Sequence, residues 1–376
     1  MRIAFYAPLK PPDHPTPSGD RLMANLLMKA LAAAGHEIQV ASRFRTFSPD
    51  PAAARYEAQK TEALGEARRL ACAWGTTDST RRPDCWFSYH PYYRAPDWIG
   101  PAVSRQLGIP YVTAEASYAA KRNSGPWQIW QADVAAALKL AVCNFAFTSR
   151  DHAGLVSAGV RADRIVALAP FLDPPPEPCR QRANERDGPV RLVSVAMMRP
   201  GDKLESFRML GQALAMLLDT PWRIAIIGDG PARSEVESAL AAIPQERIEW
   251  RGQLPPDRVA DTLAGCDLYV WPGTGEAYGL AYLEAQAMGL PVVAQATGGI
   301  DSVVRHGETG WLTPFGDVGA FAAAVRKLVS EPHLRARMGA QARRFVRGER
   351  SLAQAAHTLD AELTAACNGS QFGGEA

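Results

Sequence analysis

Two glutamates, Glu276 and Glu284, flank seven residues in the stretch Gly275-Glu276-Ala277-Tyr278-Gly279-Leu280-Ala281-Tyr282-Leu283-Glu284-Ala285. A strand is predicted over 268–271, a turn over 272–275, and a helix over 280–288 that ends at Gly289-Leu290-Pro291. The amino-end of a helix leaves backbone N–H groups unpaired, here around Tyr278, Gly279 and Leu280, and such groups suit a phosphate. Glu276, just ahead of that end, has the chemistry to accept hydrogen bonds from sugar hydroxyls. Glu284, about one turn inside, has the chemistry to hold a ribose diol. The plainer reading makes both of them solvated helix-end acids favoured by the macrodipole. The apolar neighbours Leu283, Ala285 and Ala287 weigh against it for Glu284.

A second group lies in Ala196-Met197-Met198-Arg199-Pro200-Gly201-Asp202-Lys203, directly after a strand predicted over 191–196. A diphosphate leaving group gains negative charge as its bond to a sugar breaks. Fixed cations aimed at it stabilise the transition state more than the ground state. Arg199 and Lys203 are of the right type for that work, although taken alone they read equally well as surface charges. With two cations and a helix amino-end available, a metal is unnecessary, and no Asp-x-Asp pair stands in a metal-like setting. No metal and no cofactor are therefore expected. In the first half, Pro17-Ser18-Gly19-Asp20-Arg21 places Gly19 where the backbone could approach a phosphate, with Asp20 reading as a helix N-cap. A nicotinamide site would need Gly-x-Gly-x-x-Gly here, and Gly19 stands alone.

The second half resembles the retaining glycosyltransferases of the GT-B fold, specifically the large group called family 4. Glu276 and Glu284 match its Glu-x7-Glu motif. Gly289-Leu290-Pro291-Val292-Val293-Ala294, Gly298-Gly299 and His306-Gly307-Glu308-Thr309-Gly310 agree with its surroundings. The resemblance covers nearly the whole chain and is strongest over 191–344. It implies that Glu276 contacts the donor sugar, that Glu284 holds the ribose, and that Arg199 and Lys203 stabilise the departing diphosphate. It also implies that the backbone near Arg251-Gly252-Gln253-Leu254 meets the base, with Leu254 among the donor contacts. Two departures stand out. Family members have two adjacent glycines where this chain has Gly19-Asp20. Many also have an acceptor-side histidine where this chain has Glu115, in Tyr111-Val112-Thr113-Ala114-Glu115-Ala116-Ser117; His90, in Ser88-Tyr89-His90-Pro91, is the other candidate for that place. The implied partners are a nucleoside-diphosphate sugar and a hydroxyl acceptor. The competing readings are a non-catalytic nucleotide-sugar-binding protein of the same fold and a GT-B epimerase.

The elements that must position these groups follow a strand–helix rhythm along the chain, the signature of parallel α/β sheets. Strands are predicted over 3–7, 37–41, 85–89, 110–113, 144–148 and 165–169, and after a restart over 191–196, 223–227, 248–252, 268–271 and 291–294. Helices are predicted over 19–34, 317–330, 333–346 and 351–367. The expected architecture is two Rossmann-like doubly wound domains facing across a cleft. Residues 1–175 form the acceptor-side domain, 176–188 a proline-rich linker, and 189–350 the donor domain, with 351–367 packing back on the first. At 376 residues the chain exceeds the usual size of one domain, and its formal net charge of +2 argues against a nucleic-acid partner held by a general field. Six cysteines without metal-like spacing read as buried free thiols, which fits a reducing compartment. With neither a signal-peptide pattern nor an uninterrupted apolar span, the chain is expected in the cytoplasm, free or in peripheral contact with the inner face of a membrane. Lys121-Arg122 with Trp127 and Trp130 reads either as a sugar-stacking cluster or as plain surface.

Overall fold

The computed structural model describes the chain apart from residues 17, 76–81, 176–187 and 371–376. The predicted linker therefore lies outside the described residues except for Gly188. The chain divides into two compact units, Met1–Ala169 with Leu352–Ala376, and Pro170–Ser351. Residues 170–175, expected with the first domain, lie in the second unit. The Leu172 N–H donates to the Arg350 oxygen at 2.9 Å, and Arg347 donates to the Pro175 oxygen at 2.7 Å.

The first unit is built on six parallel strands: β1 (Arg2–Tyr6), β2 (Glu37–Val40), β3 (Cys85–Tyr89), β4 (Tyr111–Ala114), β5 (Cys143–Ala146) and β6 (Ile165–Ala167), ordered β2-β1-β3-β4-β5-β6. Their central members are buried on both faces, which is why they read as continuous apolar runs. Helices α1 (Gly19–Ala33), α2 (Ala53–Gly75), α3 (Ile99–Leu107), α4 (Gln128–Leu140) and α5 (Ser149–Ser157) connect them. Ser18 caps α1 by accepting from the Arg21 N–H at 3.2 Å, and Met23, Leu26, Leu27, Ala30 and Leu31 make its buried stripe. Thr148 and Asp151 cap α5 reciprocally. The last helix, Leu352–Ser370, packs on α1 and β5, and His36 meets Asp360 at 3.3 Å.

The second unit repeats the plan with β7 (Val190–Val195), β8 (Trp222–Ile227), β9 (Ile248–Gly252), β10 (Leu268–Val270), β11 (Val292–Gln295) and β12 (Gly310–Thr313), all parallel and ordered β12-β11-β10-β7-β8-β9. Its helices are α6 (Asp202–Ala215), α7 (Arg233–Ala239), α8 (Pro256–Ala264), α9 (Leu280–Ala287), α10 (Val318–Ser330) and α11 (Pro332–Glu349).

Each strand order reverses once, between β1 and β3 in the first unit and between β7 and β10 in the second. At such a reversal the loops leaving the two strands part to opposite faces of the sheet, opening a crevice at the carboxyl ends. The loops at these two places carry Gly19 and His90 in one unit, and Lys203 and Glu276 in the other. Among the described residues no helix is long and apolar enough to cross a membrane.

Candidate active site

The second unit brings Lys203 and Glu276 into direct contact: Lys203 Nζ donates to Glu276 Oε1. Trp271 Nε1 donates to the same oxygen at 3.2 Å, and the lysine Nζ lies 5.8 Å from the centre of the Trp271 ring. Trp271 is fully buried against Phe207 of α6, so the indole fixes where the carboxylate sits. The sequence reading missed Trp271, and its place directly after the strand that feeds the Glu276 loop was the available signal.

The loop carrying Glu276 winds around another group the sequence reading passed over. Tyr282, fully buried in α9, donates its hydroxyl to the Trp271 carbonyl at 3.1 Å. Its hydroxyl lies where a side chain at Gly273 would fall, and its ring where one at Gly279 would fall. Both glycines have positive φ, 76° and 79°. Gly298, with φ 58°, closes the other side; a Cβ there would run into the Glu276 carbonyl oxygen, and the neighbouring Gly299 N–H donates to Ala277 at 2.6 Å. The loop after β7 is set in the same way. The Met198 N–H donates to Asp229 at 2.9 Å, and side chains at Gly228 or Gly230 would strike the Ala196 and Met198 carbonyls. The Gly228-Asp229-Gly230 turn thus supports the cationic loop from behind.

The amino-end of α9 has no side-chain cap, and its first turn holds no acid. Tyr278 and Leu280 are buried around Gly279. Glu284 is half-buried, with no hydrogen-bond or ion-pair partner for its carboxylate among the described residues; burial pushes its pKa up. A carboxylate left this way is costly unless a ligand completes it. Arg199 is exposed, its guanidinium free of any ion pair among the described residues. Leu254, half-buried beyond β9, lies off the edge strand at the same end of the sheet, with β8 and β7 between it and the Glu276 loop.

In the first unit, a Cβ on Gly19 would meet nothing within 4 Å, so no neighbour inside the protein requires glycine there. Asp20 is not the N-cap, because Ser18 already fills that role. Its carboxylate instead lies 3.3 Å from His90 Nδ1, and Glu115 Oε1 lies 4.0 Å from the same nitrogen. His90 and Glu115 are therefore neighbours at adjacent strand ends, not competitors for one place. Both have left-handed backbones, φ 58° and 52°, an uncommon conformation for residues other than glycine and one concentrated at functional sites. Tyr89 donates to the other Glu115 oxygen at 2.9 Å. Burial alone would lower the His90 pKa, but the charges of Glu115, Asp20 and Asp151 outweigh it and lift it to about 9. Burial likewise works against ionising Asp20, yet the contact with His90 holds its carboxyl below the usual range.

Trp127 and Trp130 do not form a sugar platform. Both are buried, packed edge-on with each other and, through Trp130, edge-on with Tyr56 and tilted against Trp98. Arg122 lies over Tyr93 instead. Among the described residues no group of three or more His, Cys, Asp or Glu side chains is placed to hold a metal ion.

Residues 180–345 match the family described as Glycosyl transferases group 1. A D-inositol 3-phosphate glycosyltransferase of Acidothermus cellulolyticus is 27% identical over 308 residues, 69% of this chain. The chain spans 63% of that relative's length. Sucrose-phosphate synthase from Thermosynechococcus elongatus superposes with a TM-score of 0.71 at 20% identity, over 97% of this chain and 100% of that one. Anabaena HepE in complex with UDP gives 0.71 at 14% identity, over the same shares. At these identities the two structures establish likeness of fold. Two six-stranded parallel α/β sheets of this kind define the GT-B class of glycosyltransferases. The stretch 180–345 is similar to the group 1 glycosyltransferases, family 4.

Proposed function

We propose that the protein transfers a sugar from a nucleoside-diphosphate sugar to an acceptor hydroxyl, retaining the configuration at the anomeric carbon. The observation that carries this reading is the meeting of Lys203 and Trp271 on Glu276, at the strand-order reversal of the second unit and beside the uncapped start of α9. In this scheme the second unit binds the donor. Glu284 takes the ribose diol, which supplies the partners its carboxylate lacks. The N–H groups at Gly279 and Leu280 face the diphosphate, together with Arg199 and Lys203. Glu276 accepts from hydroxyls of the donor sugar, and the backbone near Leu254 meets the base.

As the glycosidic bond breaks, the electron pair passes to the diphosphate oxygen, where the two cations are worth most. Lys203 spans from Glu276 to that oxygen, so one side chain couples sugar orientation to leaving-group charge. The departing phosphate takes the proton of the acceptor hydroxyl as the new bond forms on the same face. The first unit receives the acceptor near His90 and Glu115, and Gly19 leaves its backbone open to a phosphate. A cytoplasmic setting, free or against a membrane face, is our reading of the cysteines, of which Cys85, Cys143, Cys266 and Cys367 are buried thiols among the described residues.

Thermal unfolding in the presence of UDP-, GDP- and ADP-sugars tests the donor claim, because a ligand that binds only the folded state raises the midpoint. One nucleotide class is expected to raise it, and Glu284→Ala to abolish the rise. A midpoint that ignores all three refutes the reading.

A further inference from the structure

We infer that Asp20 is a positioning residue that keeps the His90 ring charged, so that the acceptor end of the first unit presents a fixed Nε2–H donor and not a base. The inference rests on the proposed transfer reaction for its consequence, though not for its geometry.

His90 Nδ1 faces carboxylate oxygens, Asp20 Oδ1 at 3.3 Å and Glu115 Oε1 at 4.0 Å. Ionised carboxylates only accept, so Nδ1 must bear a proton. Asp20 stands at ion-pair distance and favours the charged ring both by direct contact and by its charge. With Nδ1 protonated, the state of Nε2 decides what the ring can do: a neutral ring would accept there, a cation donates.

The charged groups facing the ring come from every element around it. Asp20 stands on α1, Glu115 beyond β4 and Asp151 on α5. Tyr92 and Arg94 lie in the ring's own loop, and the Tyr92 ring is tilted against it with centroids 5.2 Å apart. The charge of Lys10 also acts on Asp20, and its Nζ donates to Ser18 Oγ at 3.0 Å. The acids outweigh burial, and the ring's pKa stands near 9. The ring is therefore a cation across the neutral range. It donates Nε2–H to a lone pair of the acceptor, and it leaves proton removal to another group. Of the acids, Asp20 is the nearest and the only one on the helix that begins at Gly19. That separates its role from plain helix capping, which Ser18 performs.

The test pairs a titration with a pH profile on the full chain. The His90 Cε1–H resonance, assigned by its loss in His90→Gln, is followed by NMR without any sugar present. The wild type should titrate well above pH 6.5, and Asp20→Asn should bring the midpoint down by at least one unit, while Asp20→Glu should keep it high. In the transfer assay, Asp20→Asn should be at least threefold slower than wild type at pH 8.5 and within twofold at pH 6, where either ring is protonated. A wild-type midpoint at or below 6.5 overturns the inference. So does an unmoved midpoint in Asp20→Asn, or a loss of rate equal at both pH values, which marks a merely structural role. If the midpoints move as expected but no donor is turned over by the wild type, the charged ring stands and the proposed transfer falls.

Discussion

Replacing Lys203 with alanine removes a cation that serves two purposes, and the two losses are separable. The Lys203 and Glu276 side chains are 26% and 17% exposed, so their contact is partly shielded from water. At about 3 Å and an effective dielectric of about 20, the gross attraction is roughly 5 kcal/mol. Desolvation of both ions offsets most of it, leaving a net coupling of about 1–3 kcal/mol. In Lys203→Ala, Glu276 keeps only the Trp271 N–H on its bonded oxygen, and the fold should lose about that amount in chemical denaturation. Glu276→Ala strands the lysine similarly. The double variant should therefore lose less than the sum of the two by about 1–3 kcal/mol. Activity should behave differently. Loss of one cation from the developing diphosphate charge costs about 3–4 kcal/mol, or a factor on the order of a hundred to a thousand in kcat. The double variant should recover none of it. Release of the nucleoside diphosphate, followed by a coupled assay at saturating donor, gives the rate. Additive stabilities, or a Lys203→Ala rate within threefold of wild type, would refute the reasoning.

Glu284→Ala should raise the donor KM by about tenfold or more while leaving the fold at least as stable, because a half-buried carboxylate without a partner contributes no stability of its own; steady-state kinetics and a melt check both. The folded-state pKa of His90 stands above its ordinary value of 6.5, so its charge contributes stability fully below about pH 6.5. That contribution is lost as pH rises through about 9, and His90→Gln should flatten the wild-type decline in stability over this window. Gly298→Ala should push the Glu276 carbonyl aside and strain a backbone at φ 58°. A destabilisation of about 1–3 kcal/mol with a larger than proportionate loss of kcat is expected, measured on protein shown by circular dichroism to be folded.

Most strands were legible because parallel strands covered on both faces must be apolar throughout, as Cys85–Tyr89 is. The Glu276–Glu284 spacing was legible because strand, turn and helix start are consecutive in the chain. Helix α2 was not named in advance. Half of its buried residues are alanine, at 63, 67 and 71, which gives little contrast with its exposed face. Strand β12 was also passed over; its four residues contain two half-buried positions and begin with glycine. The Asp20–His90 contact joins residues seventy apart, and the local rules that favour Asp as an N-cap pointed elsewhere, although Ser18 satisfied them first. Trp127 and Trp130 misled for a similar reason. A neighbouring Lys-Arg pair makes a tryptophan look exposed, yet their partners Tyr56 and Trp98 come from distant segments. Tyr282 and Trp271 shape the Glu276 loop through buried contacts that no spacing announces.

Proton NMR of a sugar just released from a nucleotide-sugar, with water or an alcohol standing in for the acceptor, reads the bond chemistry before mutarotation sets in. The anomer that the donor carried should appear first with the wild type, and Glu276→Ala should release it at least a hundredfold more slowly. First appearance of the opposite anomer, or equal release by the two proteins, contradicts retaining transfer at the Lys203–Glu276 site.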